Sequence, residues 1–204
     1  MTGIRLPRFA LAALFLGGLV ILGAAVFLGL AHRDSPRGAA GTLLASAIGG
    51  PFRLVDQNGK MVTDPDLKGK WSLVYFGYTH CPDACPTALN DIAVALDELG
   101  PKRAAVRPVF ITVDPERDTP EVLKSYVTAF DTPILALTGT PEEIAQAAKS
   151  YRVYYAKHPE AGGDYSMDHT SIIYVMDPQG RFTASFTHES SPEEIAERLK
   201  KLLA

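Results

Sequence analysis

The period of the apolar positions changes several times along the chain, and each change marks an element. Residues 52–55 and 60–62 are short strand-like runs flanking Asn58-Gly59, a pair that favours a two-residue hairpin turn. Residues 71–78 (WSLVYFGY) form an unbroken apolar, aromatic and β-branched run, the pattern of a strand covered on both faces. That run stops at Thr79-His80-Cys81-Pro82. Leu89, Ile92, Ala93, Leu96 and Leu99 then recur at helical spacing until Gly100-Pro101. Residues 107–113 (RPVFITV) predict a second buried strand. Thr119-Pro120, Thr140-Pro141-Glu142-Glu143 and Ser191-Pro192-Glu193-Glu194 each set a hydroxyl before a proline, the signature of an N-cap and first helical residue. Residues 133–137, 170–176 and 182–186 predict strands, the last two joined by a turn at Asp177-Pro178-Gln179-Gly180.

The predicted order is hairpin, β, α, β, α, β, α, β, β, α. Alternating βα units imply an α/β fold with a largely parallel sheet, to which the last hairpin adds an antiparallel pair. A strand running into a cysteine motif and then a helix is the layout of a thioredoxin-like fold. The expectation is a thioredoxin-like domain over residues 51–204 with an N-terminal β-hairpin extension. Its cysteine turn then lies at the carboxyl end of a central strand, where open α/β sheets place ligands.

Residues 9–31 carry no charge over 23 positions. A helix of that length spans about 34 Å, enough for a bilayer core of about 30 Å. A cleaved signal peptide usually has an apolar region of only about 7–15 residues, so length favours a single transmembrane anchor. Arg5 and Arg8 precede the stretch and Arg33 and Arg37 follow it, so flanking charge hardly sets its orientation. Residues 1–8 are then a cytoplasmic N-terminus, and residues 32–50, rich in Gly, Ala and Ser, a flexible tether. A net charge of -3 and a pI near 5.9 argue against a nucleic-acid partner. Two cysteines are too few for a disulfide scaffold, which points to a chemical role.

Thr79-His80-Cys81-Pro82-Asp83-Ala84-Cys85-Pro86 spaces its cysteines one residue further apart than a thioredoxin-type pair. At a helix N-terminus, backbone N–H groups and the helix dipole favour the thiolate. Three readings stand at this point: two small buried hydrophobes, a redox dithiol cycling through a disulfide, and part of a metal site. A metal needs further ligands. His80 is adjacent, but its side chain need not converge with the sulfurs. His158 is expected at a helix end, as a C-terminal cap or in contact with solvent, and His188 to be exposed after the last strand. His169 stands just before a strand, where thioredoxin-like folds face the cysteine turn, usually with a proline. Two thiolates and an imidazole suit Cu(I), and also Cu(II) when water or a carboxylate joins them. Zinc is the rival and normally takes four protein ligands; Asp83 or Asp168 could supply the fourth or support a ligand from behind. The loop at residues 113–118 borders the same face, either for docking and support or as a plain solvated turn and helix cap.

Three segments and the N-terminal anchor together resemble the Sco/SenC family: THCPDACP at 79–86, ITVDPERDTP at 111–120 and DHTSIIYVMDPQGRF at 168–182. The resemblance runs from about residue 52 to the C-terminus. It implies a membrane-anchored copper protein of thioredoxin-like fold, with Cys81, Cys85 and His169 as ligands of Cu(I), Cu(II) or both. It further implies a metallochaperone that helps assemble the binuclear copper centre of cytochrome c oxidase, with subunit II or another copper protein as partner. The alternative is a thiol–disulfide oxidoreductase in which Cys81 and Cys85 reduce the cysteines of that centre. Either role places the chain in an inner membrane, single-pass, with its domain in the periplasm or an equivalent oxidising compartment. A peroxidase of the peroxiredoxin type shares the fold, but no Arg-supported peroxide pocket is legible in the sequence.

Overall fold

A computed structural model describes residues 48–160 and 162–204. The proposed anchor at residues 9–31 lies outside the described residues. Among the described residues, no helix is long and apolar enough to cross a membrane.

Strands β1 (Arg53–Asp56) and β2 (Met61–Thr63) form the expected hairpin, but four residues, 57–60, lie between them. The cause is Asp56, whose carboxylate accepts from the N–H groups of Asn58 (2.8 Å) and Lys60 (2.9 Å), with Gly59 at φ +79°. That side chain closes a longer turn than Asn-Gly alone specifies. Next come β3 (Trp71–Gly77), α1 (Ala84–Asp97), β4 (Val106–Thr112), α2 (Pro120–Val127), β5 (Leu135–Thr138) and α3 (Pro141–Tyr151). The three hydroxyl–proline caps form as read: Thr119, Thr140 and Ser191 accept from the N–H of Val122, Glu143 and Glu194.

The main sheet has the order β2-β1-β5-β4-β3-β8-β9, with β8 at Ile172–Met176 and β9 at Phe182–Thr187, and α4 (Pro192–Leu202) closes the chain. Strands β3, β4 and β5 run parallel; β1 and β8 lie antiparallel to their neighbours β5 and β3. This is a mixed α/β sheet of thioredoxin-like type. Strand β3 is central and covered on both faces: Leu73, Val74, Tyr75 and Phe76 are all fully buried. Each such side chain stabilises the fold by about 1.5–3 kcal/mol through loss of apolar surface from water. Alternation puts Tyr75 and Gly77 on one face with Phe110, against which Tyr126 of α2 packs at 5.7 Å. Phe76 faces the other way, onto Tyr151 of α3 at 5.4 Å.

One element pair is absent from the sequence expectation. Between α3 and β8 the chain forms a separate two-stranded sheet, β6 (Tyr155–Pro159) and β7 (Tyr165–His169). His158 therefore lies within β6, where its Nε2 meets Asp168 at 2.8 Å, and it caps no helix. The helix had already ended at Tyr151, closed by Arg152 in the left-handed conformation.

Candidate metal centre

The carboxyl ends of β3 and β4 lie side by side, Gly77 opposite Thr112. From there the chain passes through Thr79 and His80 to Cys81, then into α1, whose first turn holds Cys85. Asp118, fully buried, fixes the start of this turn. Its carboxylate accepts from the Thr79 N–H (3.0 Å), the Thr79 hydroxyl (2.6 Å) and the Thr112 hydroxyl (2.6 Å). Burial raises its pKa and these donors work against the rise.

Cys81 is half-buried and Cys85 fully buried, and both are free thiols. The ligand atoms of Cys81, Cys85 and His169 all lie within 4.8 Å of one another, a grouping able to hold a metal ion. His169 Nε2 stands 3.4 Å from Cys85 Sγ. On the other side of the ring, Nδ1 is 3.4 Å from the Thr170 carbonyl. The ring therefore lies between a backbone carbonyl and the two sulfurs, with Nε2 the atom turned toward the cysteines. Tyr75 and Tyr78 stand edge-on to the imidazole, with centroids at 6.0 Å and 5.9 Å. The Tyr75 hydroxyl donates to Cys85 Sγ at 3.8 Å.

The two sulfurs are electrostatically unequal. The Cys85 thiol hydrogen-bonds to Cys81 and, with His169 and backbone N–H groups, pulls the Cys81 pKa down to about 3. That same bond, together with burial, pushes Cys85 well above the ordinary thiol range. Cys81 is the thiolate and Cys85 keeps its proton.

Other residues picked out in the sequence do not converge. His80 is exposed and its Nδ1 meets only the Thr79 hydroxyl at 3.2 Å. Asp83 is exposed and accepts from the Thr87 hydroxyl at 3.4 Å, while Asp168 is held by His158. Neither carboxylate joins the three-residue grouping. His188 is exposed, as read. The loop at residues 113–118 is not a solvated turn: Asp114 and Asp118 are 1% and 0% exposed.

Gly77 was not anticipated. A Cβ there would stand 2.8 Å from Cys85 Sγ and 2.9 Å from the Phe110 ring. A glycine ending a buried strand beside a cysteine turn is the sequence signal for such a close approach. Gly77→Ala is expected to destabilise the domain by about 1–3 kcal/mol, the usual cost of overpacking. It should also shift Cys85 and weaken metal loading. Denaturant unfolding and metal titration of the purified variant check both effects; unchanged values would show that Cys85 has room to move.

A mixed α/β domain of thioredoxin-like type, with two cysteines at a helix start and an imidazole from an inserted hairpin, is the class that fold and site define. Within it, residues 40–204 match the SCO1/SenC family, and the chain belongs to that family. The mitochondrial SCO1 homolog 1 of Arabidopsis thaliana is 44% identical over 157 residues, 76% of this chain and 47% of that protein. The SCO2-like protein RP587 of Rickettsia prowazekii is 44% identical over 155 residues, 75% of this chain and 76% of that one. The chain thus spans about half the length of the plant relative and three-quarters of the rickettsial one. Bradyrhizobium japonicum ScoI with copper bound is 54% identical, with a TM-score of 0.71 over 76% of this chain and 99% of that one. BsSco, described with a disulfide switch as a member of the Sco family of cytochrome c oxidase assembly proteins, is 28% identical, with a TM-score of 0.62 over 78% and 94%.

Proposed function

We propose that this chain is a membrane-anchored copper carrier that helps assemble the binuclear copper centre of cytochrome c oxidase. Cys81, Cys85 and His169 are the copper ligands in this reading. The observation that carries it is their convergence within 4.8 Å from two separate segments of the chain, the cysteine turn and the β6–β7 hairpin. The donor set fits copper: two sulfurs suit Cu(I), and the imidazole lone pair completes a site for Cu(II). The copper-bound ScoI of B. japonicum supports the choice of metal. Copper is cargo here, passed to a partner's ligands by exchange, with subunit II of the oxidase as the proposed recipient. An anchor at residues 9–31 would hold the domain in the periplasm or an equivalent compartment.

The inequality of the sulfurs favours a second reading, reduction of the recipient's cysteines. The half-buried Cys81 thiolate attacks a partner disulfide and forms a mixed disulfide, releasing one partner thiolate. Cys85 then loses its proton and attacks the Cys81 sulfur. A Cys81–Cys85 disulfide forms, the second partner thiolate leaves, and the partner gains two electrons. Asp83 and Asp168, exposed beside the two sides of the site, support neither step directly.

Anaerobic loading of the reduced protein tests the copper reading. About one Cu(I) per chain should be retained, and none once Cys81 and Cys85 are joined, because a disulfide offers no thiolate. Since Cys85 holds its proton in the free protein, loading near neutral pH should expel about one proton from the thiol pair. Acid then opposes binding. Equal occupancy of the oxidised and reduced forms would refute the ligand set.

A further inference from the structure

We infer that Arg117 and Tyr165 are positioning residues that hold the His169 imidazole over the two cysteines. The β6–β7 hairpin carries His169, yet no strand of it is hydrogen-bonded into the main sheet. Its placement therefore depends on side chains. Tyr165, Met167 and His169 alternate with Ser166 and Asp168 along β7 and so share one face. Fixing the first two sets the direction in which the third projects.

The grip on Tyr165 comes from the loop after β4. Asp114 uses both carboxylate oxygens: Oδ2 accepts from Arg117 Nε at 2.5 Å, and Oδ1 from the Tyr165 hydroxyl at 2.8 Å. Arg117 Nη1 donates to the Tyr165 carbonyl (3.0 Å) and to Asp164 (3.1 Å). Its guanidinium carbon sits 3.7 Å from the centroid of the Tyr165 ring, and Lys157, paired with Glu116 at 2.7 Å, sits 3.9 Å from it. Charge, ring and backbone of one residue are thus held together, a geometry that only a planar fork supplies. Met167 is buried in the hydrophobic core. Next to Arg117 in the chain, Asp118 holds Thr79 at the start of the cysteine turn. One loop therefore grips both sources of ligands and sets the distance between them.

The copper part of the test rests on the function proposed above; the exchange part does not. In the full reduced chain, Arg117→Gln should speed amide exchange in residues 155–169 by roughly tenfold or more, the scale of a lost charge-assisted hydrogen bond. Exchange in β3 and β4 should stay as in the wild type. Cu(II) affinity should fall by roughly 10–100-fold, with weaker nitrogen coupling in the electron paramagnetic resonance spectrum, as when a ligand loses its support. Cu(I), carried by two sulfurs, should lose less. Arg117→Lys keeps the charge but not the fork, and should restore only part of each effect. Should Arg117→Gln fail to fold, Tyr165→Phe decides, because it removes only the hydroxyl on Asp114 and should give smaller shifts of the same sign. Wild-type exchange in the hairpin, or acceleration spread equally over every strand, overturns the inference. If His169→Ala keeps full Cu(II) affinity, the copper reading fails, and the exchange data still decide the positioning role.

Discussion

Replacing His169 with alanine is expected to abolish tight Cu(II) binding while leaving dithiol exchange close to wild type. The division follows from which atoms do which work. In disulfide exchange the two sulfurs make and break every bond, and the imidazole lowers the Cys81 pKa less than the Cys85 thiol does. In copper binding it supplies one of three donors. Two thiolates alone can hold Cu(I) in a linear site, but Cu(II) prefers more ligands, including nitrogen. The expected loss of Cu(II) affinity is at least roughly 100-fold, more than removing a mere supporting contact costs. Titration must therefore follow Cu(II), since total copper would hide the effect. In cells lacking the native protein, the variant should fail to restore oxidase copper if carrying is the task, and restore it if reduction is. We expect failure. Undiminished Cu(II) affinity in the purified variant would remove His169 from the site, and with it the case for a copper centre.

Strand β3 and the starts of α2, α3 and α4 were legible because their signals are local and strong. An apolar run buried on both faces admits few alternatives, and a hydroxyl before proline fixes a helix start within one residue. The three proposed ligands were legible for a different reason: only their residue types and the position of His169 before β8 were needed. The β6–β7 hairpin was not legible. Of its two strands only Met167 is buried, Lys157, His158 and Asp168 face solvent, and Pro159 interrupts the first. With so little apolar alternation there is no period to read, and side chains from elsewhere hold the hairpin in place. The same gap explains His158, which was placed beside the helix only because no strand was expected there. Gly77, Tyr75 and Arg117 act through close contacts with residues further along the chain, as between Gly77 and Cys85, Tyr75 and Cys85 or Arg117 and Tyr165, and no spacing rule announces them. The acidic loop shows the reverse case. Its motif was conspicuous, yet two of its carboxylates, Asp114 and Asp118, point inward, onto Tyr165 and Thr79, rather than toward solvent.

Cys85→Ala should raise the pKa of Cys81, which stands at about 3 in the native chain, the second large effect. In the native chain the first cause of the low value is the hydrogen bond from the Cys85 thiol. Alanine removes that donor and leaves His169 and the backbone N–H groups of Asp83 and residue 85. Those keep Cys81 below the free-thiol value of about 8.5, but above its native value of about 3. The sign is fixed by the charge type: a donor to sulfur stabilises the deprotonated form, so its loss moves the titration upward. The thiolate present at mildly acidic pH in the native protein should then be largely protonated in the variant. Ultraviolet absorbance of the thiolate, followed against pH in the reduced chain, reads this directly. Alkylation rates would understate it, because a thiolate of lower pKa is also a weaker nucleophile. The consequence for mechanism is that the two cysteines are not interchangeable: Cys81 attacks, and Cys85 stabilises that thiolate until it gives up its proton to a metal or to disulfide closure. A midpoint that stays near 3 in Cys85→Ala would assign the low pKa to the helix start alone and make the buried thiol a passive neighbour.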